Sequence, residues 1–228
     1  MKAKIFMPDF KPLTGPEHIP DGEIDQVVIF LHGLGSNGDD LLSLAPFFER
    51  DLPNTAFLAP NAPFGVQFTY NGYQWFDLWD RTPNQIEMGV RAAAPLIADY
   101  ITVAAKRFSV PVSKIALVGF SQGTMMALQT GLRVIKNVAG IVGYSGAMVG
   151  LESFDNEKLK KLPPVLLIHG AADPIVPLYM SQQAENTIRK AGGNVRLLTR
   201  PYLVHSIDDV GIKEAISFLQ SAFKGDKK

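Results

Sequence analysis

Two hydrophobic periods alternate along this chain. Short, nearly continuous apolar runs, the pattern of strands buried on both faces, occur at residues 26–31, 55–59, 115–120, 138–144, 165–168 and 195–199. Between them the apolar positions repeat at helical spacing. One helix is expected from Asp39 to about Glu49. A long amphipathic one is expected from Asn84 to Phe108, with Ile86, Val90, Ala93, Ala94, Ile97, Ile101 and Ala105 near i, i+4 spacing. Pro95 should kink it. Further helices are expected after Gly123, from about Tyr179 to Lys190 with Gly192-Gly193 as the stop, and from about Asp208 to Phe223 with Ser206 available as a cap. The first 25 residues read as irregular, apart from a short edge strand at Ala3–Met7 and an exposed, idle His18.

Strands that alternate with helices make a mostly parallel sheet with helices on both faces. Without a linker-like stretch, 228 residues suit one domain, 1–228. In such a sheet the chemistry gathers beyond the carboxyl ends of the strands. Composition then removes several classes of function. A net charge of zero and the lack of a basic run argue against nucleic acid as partner. The absence of cysteine removes thiol nucleophiles, disulfides and cysteine metal sites. Lys2, Lys4, Pro8 and Asp9 leave no room for a signal-peptide core, and no apolar run reads as long enough to span a bilayer, so a cytoplasmic protein is expected. No feature of the sequence sets an oligomeric state.

Gly119-Phe120-Ser121-Gln122-Gly123 sits between a buried strand and a helix. G-x-S-x-G in that context is a nucleophile elbow, a turn so sharp that the flanking positions must lack side chains. The earlier strand 26–31 ends in His32-Gly33-Leu34-Gly35-Ser36-Asn37-Gly38. These glycines also fit the dinucleotide-binding fingerprint. Two features oppose it: Asp39 and Asp40 would repel a pyrophosphate, and the strand at 55–59 ends in Pro60-Asn61 with no acid for a ribose. The preferred reading is an oxyanion loop, with the backbone N–H groups of Leu34 and Gln122 as the donors and His32 as a structural hydrogen-bonder. Ser121, Asp173 and His205 each follow a strand, in the order nucleophile, acid, base. His169 is the rival base, but it would come from the same loop as the acid. Phe64, Phe68, Tyr70, Tyr73, Trp75, Phe76 and Trp79 form an aromatic stretch. It can be a hydrophobic cluster under a loop, the wall of an acyl pocket, or both. Phe64, Phe68, Tyr73 and Trp75 are the candidate substrate-binding residues, with Trp75 favoured as a buried anchor. Asp77 and Asp80 read as loop anchors.

Taken in order, His32-Gly33-Leu34-Gly35, Ala59-Pro60-Asn61-Ala62-Pro63, Trp75-Phe76-Asp77, the elbow, His169-Gly170…Asp173…Val176-Pro177 and His205-Ser206 resemble the phospholipase/carboxylesterase family, which includes acyl-protein thioesterases and lysophospholipases. The resemblance implies the α/β-hydrolase fold, the triad Ser121, Asp173 and His205, an oxyanion hole at Leu34 and Gln122, no cofactor and no metal. Its implied substrate is a small-molecule ester or thioester, or a lipid or acylated protein that carries one. Ser36-Asn37 and Val204 depart from the family pattern at the site rim, where many members carry Asp and Gly; substrate preference is what those departures touch. Lysophospholipase activity at the same site and a non-catalytic binding module on a hydrolase scaffold are the competing readings.

Overall fold

The computed structural model describes residues 11–80, 82–135, 137–155, 157 and 161–225. In chain order they form β1 (Glu17–His18), β2 (Gln26–Leu31), α1 (Gly38–Leu42), α2 (Ala45–Glu49), β3 (Thr55–Leu58), β4 (Phe64–Gly65), β5 (Tyr73–Gln74), α3 (Pro83–Arg107), β6 (Ile115–Phe120), α4 (Gln122–Gln129), β7 (Gly140–Tyr144), α5 (Leu151–Asp155), β8 (Val165–Gly170), α6 (Tyr179–Lys190), β9 (Val195–Arg200) and α7 (Asp209–Lys224). Seven strands make one sheet in the order β1-β3-β2-β6-β7-β8-β9, and β4 pairs with β5 in a separate hairpin. Every neighbouring pair in the large sheet is parallel except β1 against β3.

The period-2 alternation of β2 shows why helices cover both faces. Val27, Ile29 and Leu31 point into one cluster, with Val90, Ile97 and Ile101 of α3, Met126 of α4 and Ile188 of α6. Val28 and Phe30 point into the other, with Phe48 of α2 and Ile212, Ile216 and Leu219 of α7. From β2 the chain goes to β3 on one side and later returns to β6 on the other. The crevice between the carboxyl ends of β2 and β6 is therefore the topological switch point, where ligands bind in open α/β sheets. The two turns singled out in the sequence leave from those two ends.

Several expectations change. The helix expected from Asp39 to Glu49 is two helices, broken at Ser43-Leu44. Pro46 lies in the first turn of the second, where its missing N–H is tolerated and a continuous helix is not. The irregular segment 1–25 contains β1. Glu17 there accepts two hydrogen bonds from Arg107 at 2.6 and 2.7 Å. His18 is not idle: its ring packs 6.1 Å from that of Phe57, and Nε2 stands 3.1 Å from Glu49 Oε2, at ion-pair distance without hydrogen-bond alignment. The strand expected at Ala3–Met7 lies outside the described residues. Asp208, not Ser206, caps α7, accepting from Gly211 N at 2.8 Å. By length and composition α3 could cross a membrane, contrary to the expectation from the sequence; its buried side, however, belongs to the core against the sheet. The helix runs through Pro95 without a break.

Candidate active site

Ser121 follows β6 with φ 54° and ψ −116°, a conformation that costs a non-glycine residue of order 1–3 kcal/mol and persists only where the surroundings impose it. Those surroundings are legible. Ser121 N–H donates to Tyr144 O at 2.9 Å, and Ser121 O accepts from Thr124 N at 3.0 Å. A Cβ on Gly119 would stand 2.4 Å from Gly123 O, and one on Gly123 would stand 1.8 Å from Leu31 O. Both elbow glycines are thus demanded by backbone contacts, one within the turn and one against β2. Ser121 stands at the N-terminus of α4, where partial positive charge favours a developing anion.

Asp173 and His205 come from the loops after β8 and β9. Those loops are tied together by Ala171 N–H to Arg200 O (2.8 Å) and Ala172 N–H to Leu203 O (3.1 Å). A Cβ on Gly170 would meet Leu203 O at 2.0 Å, which explains glycine after His169. Asp173 Oδ1 accepts from Ile175 N and Val176 N at 2.9 Å each, and Oδ2 accepts from His205 Nδ1 at 2.8 Å. Burial pushes the Asp173 carboxyl up. The hydrogen bonds from His205, Val176 and Ile175 outweigh it, so the net shift is downward and the group is ionised. The His205 side chain is 18% exposed, and its ring packs 4.8 Å from that of Phe120, the residue before Ser121.

Both ring nitrogens of the rival base, His169, face groups of the protein. His169 is fully buried. Its Nε2 faces Val176 O at 2.8 Å and Asp173 Oδ2 at 3.4 Å, and its Nδ1 faces Ser181 Oγ at 2.7 Å. Burial, the largest influence, pulls its pKa down, so the ring is neutral. Two acceptors face Nε2, and Nδ1 faces the Ser181 hydroxyl, which also donates to Gly146 O at 3.0 Å. No nitrogen is left for a reacting serine.

His32 is also buried, and its pKa is lowered by desolvation. Nε2 accepts from Ala62 N at 3.0 Å, so Nδ1 carries the proton and donates to Gly33 O at 2.8 Å. Gly33 O and Leu34 N–H belong to one trans peptide, so this bond sets the direction of Leu34 N–H, opposite to the carbonyl. A Cβ on Gly33 would reach Ser121 Cβ at 3.3 Å, which places this peptide beside the serine. Two donors at the start of α1 have protein partners: Gly38 N bonds Asn61 Oδ1 (2.7 Å) and Asp40 N bonds Asn37 Oδ1 (3.0 Å). The glycine-rich loop serves close packing here. A Cβ on Gly38 would lie 2.1 Å from Ala59 O.

The aromatic stretch divides. Phe68 is 68% exposed, Phe64 is 40% exposed and Tyr73 is half-buried. Trp75 is fully buried and donates Nε1–H to His32 O at 2.9 Å, as an anchor does, and it also stands in the lining of the groove beside the β4–β5 hairpin. A groove of about 510 Å³ runs between the β4–β5 hairpin and α3, bordered by Phe64, Gln74, Phe76, Gly89 and Leu96. Asp77 and Asp80 anchor their loop through Trp79 N and Thr82 N, both at 2.9 Å. Sequence reasoning missed the side chain of Gln122, which is 1% exposed. Its Oε1 accepts from Trp75 N and its Nε2 donates to Phe76 O, both at 2.9 Å. The available signal was an amide at the first position of an otherwise buried helix.

A phospholipase/carboxylesterase family model matches residues 18–223. The chain belongs to that family. Among its relatives, acyl-protein thioesterase 1 of Schizosaccharomyces pombe is 30% identical over 204 residues, 85% of this chain and 89% of that protein. Esterase YpfH of Escherichia coli is 27% identical over 203 residues, 88% and 84% of the two chains. The crystal structure of esterase PE8 superposes with a TM-score of 0.86 at 35% identity, covering 92% of this chain and 99% of that one. That of Zea mays acyl-protein thioesterase 2 gives 0.72 at 24% identity, over 92% and 99%, a likeness of fold. The fold is the α/β-hydrolase fold, as family membership and the mostly parallel sheet require.

Proposed function

We propose that this phospholipase/carboxylesterase family member is a single-domain serine hydrolase of carboxylic esters or thioesters, acting through an acyl-enzyme. The observation that carries the reading is the 2.8 Å bond to a buried, ionised Asp173 from Nδ1 of His205, whose ring packs 4.8 Å from Phe120, the residue before a serine held at positive φ on a helix N-terminus. With its Nδ1 proton committed to Asp173, His205 keeps a lone pair on Nε2. Nε2 takes the Ser121 hydroxyl proton as Oγ bonds the acyl carbon, and the carbonyl π pair moves to the oxygen. The Leu34 and Gln122 N–H groups receive that oxyanion. Collapse restores the carbonyl and expels the alcohol or thiol, which takes the proton from Nε2. Water then repeats the sequence on the acyl-enzyme and releases the acid. Asp173 stays ionised throughout and stabilises the imidazolium.

The names of the relatives, acyl-protein thioesterase and esterase, support both ester and thioester donors on small-molecule or acylated-protein carriers. Exposed Phe64 and Phe68 support an acyl-contacting role for the aromatic stretch. The test is a fluorophosphonate probe together with a hydrolysis panel that varies leaving group (alcohol, thiol, lysophospholipid) and chain length. One serine is labelled in the wild type and none in Ser121→Ala, which also loses turnover. Labelling that persists in Ser121→Ala refutes the assignment.

A further inference from the structure

The segment Tyr73–Phe76 is bonded to both turns that carry the proposed oxyanion donors. On one side Gly35 N–H donates to Tyr73 O and Tyr73 N–H donates to Ser36 O, each at 2.8 Å, an isolated antiparallel bridge to the loop after β2. Trp75 Nε1–H adds a bond to His32 O in the same loop. On the other side the Gln122 amide closes on Trp75 N and Phe76 O across 47 and 46 residues of sequence. The one primary amide thus satisfies a backbone N–H and a backbone C=O of two adjacent residues. Leu34 is one residue from the Gly35 bond, and the Gln122 N–H belongs to the residue whose side chain makes the other.

We infer that the Gln122 side chain is a positioning residue: through Tyr73–Phe76 it fixes the separation and aim of the Leu34 and Gln122 amides, and it couples that geometry to the aromatic stretch that borders the substrate. The inference rests on the oxyanion assignment above. Donors misplaced by less than an ångström weaken transition-state binding while leaving ground-state binding alone, so the effect falls on kcat. Removal of one oxyanion donor outright costs about 10²–10³ in kcat, and partial misplacement costs less.

The test uses p-nitrophenyl acetate, whose acyl group is too short to report on a pocket wall. Gln122→Met keeps the volume and loses both bonds. It lowers kcat tenfold or more with KM within about twofold, and weakens a trifluoromethyl ketone inhibitor in parallel with kcat/KM. Gln122→Glu gives the readout that a purely structural role would not. Protonated, the new carboxyl can accept from Trp75 N and donate to Phe76 O. Ionised, it presents only acceptors to Phe76 O. Burial raises carboxyl pKa values, so the protonated form that keeps both bonds gains population as pH falls. The wild-type to Gln122→Glu ratio of kcat/KM grows about tenfold or more between pH 5.5 and 8.5, while Ser121 is still labelled by fluorophosphonate. Should both variants fail to fold, Trp75→Phe keeps a ring and removes the bond to His32 O, and the same kcat-selective loss is expected. A flat pH ratio, or kcat within threefold of wild type in a folded variant, overturns the inference. A wild type that is active and labelled at Ser121 in that experiment leaves the hydrolase reading standing; a wild type that turns over no ester overturns both.

Discussion

Asp173→Asn probes the whole site with one atom. Asp173 Oδ1 is held by two backbone donors, Ile175 N–H and Val176 N–H. An asparagine that turned its NH₂ toward them would leave both unpaired beside a third donor, at about 1–3 kcal/mol for each buried orphan. Its oxygen therefore stays where Oδ1 was, and its NH₂ takes the place of Oδ2, 2.8 Å from His205 Nδ1. Two donors cannot face each other, so His205 shifts to the tautomer with its proton on Nε2. That nitrogen can no longer take the Ser121 proton. The same substitution in another serine hydrolase triad lowers kcat about 10⁴-fold, or about 5.4 kcal/mol at 1.36 per decade. The two Oδ1 bonds survive and buried His169 keeps Val176 O while losing Oδ2 as its 3.4 Å neighbouring acceptor, so the fold should persist with a modestly lower Tm. The assay is kcat on a p-nitrophenyl ester at pH 7.5 with a thermal melt on the same sample. A folded Asp173→Asn enzyme within tenfold of wild type would refute the tautomer argument and, with it, the pairing of Asp173 with His205.

Gly123→Ala reverses an ordinary rule: alanine inside a helix usually gains about 1 kcal/mol over glycine. Here its Cβ meets Leu31 O, Leu31 C and His32 O at 1.8, 2.5 and 2.8 Å, all backbone, so a loss of about 1–3 kcal/mol is expected, read as a Tm lower by about 2–4 °C per kcal/mol. His32 and His169, both held neutral by burial, bind protons more readily in the unfolded chain. Their contribution to stability is complete above the ordinary histidine range and declines as pH falls toward their lowered folded values, with a slope of at most about 1.4 kcal/mol per pH unit for each. Urea melts between pH 7.5 and 5 should show this loss, and His169→Gln should flatten part of it. Phe68→Ala, at an exposed position, should leave Tm within error and flatten the gain in kcat/KM with acyl length, about fourfold per buried methylene in the wild type; an unchanged chain-length profile would put the acyl chain elsewhere.

The sequence alone determined the layered architecture, the sharp turn at Ser121 and the order of the candidate site residues along the chain, because each is written in local pattern. Six strands surfaced as apolar runs. The boundaries of β2 matched residue for residue, since a strand buried on both faces leaves no ambiguity of period. Gly119 and Gly123 were legible from the motif, although only Gly119 is demanded within the turn and Gly123 is demanded by the backbone of Leu31 in β2. Other features were invisible because they depend on partners far away in sequence. The two short strand residues Glu17 and His18 exist as β1 only against β3. His169 and His205 are alike as letters. Tertiary structure separates them by burying one between Val176 O and Ser181 and leaving the other with a free Nε2 beside Phe120. The Gln122 side chain spans 46 residues to find its acceptor, and no local propensity records such a bond. Local pattern sets which backbone conformation is favourable. Which donor faces which acceptor is decided only when the sheet has brought the ends of β2, β6, β8 and β9 to one edge.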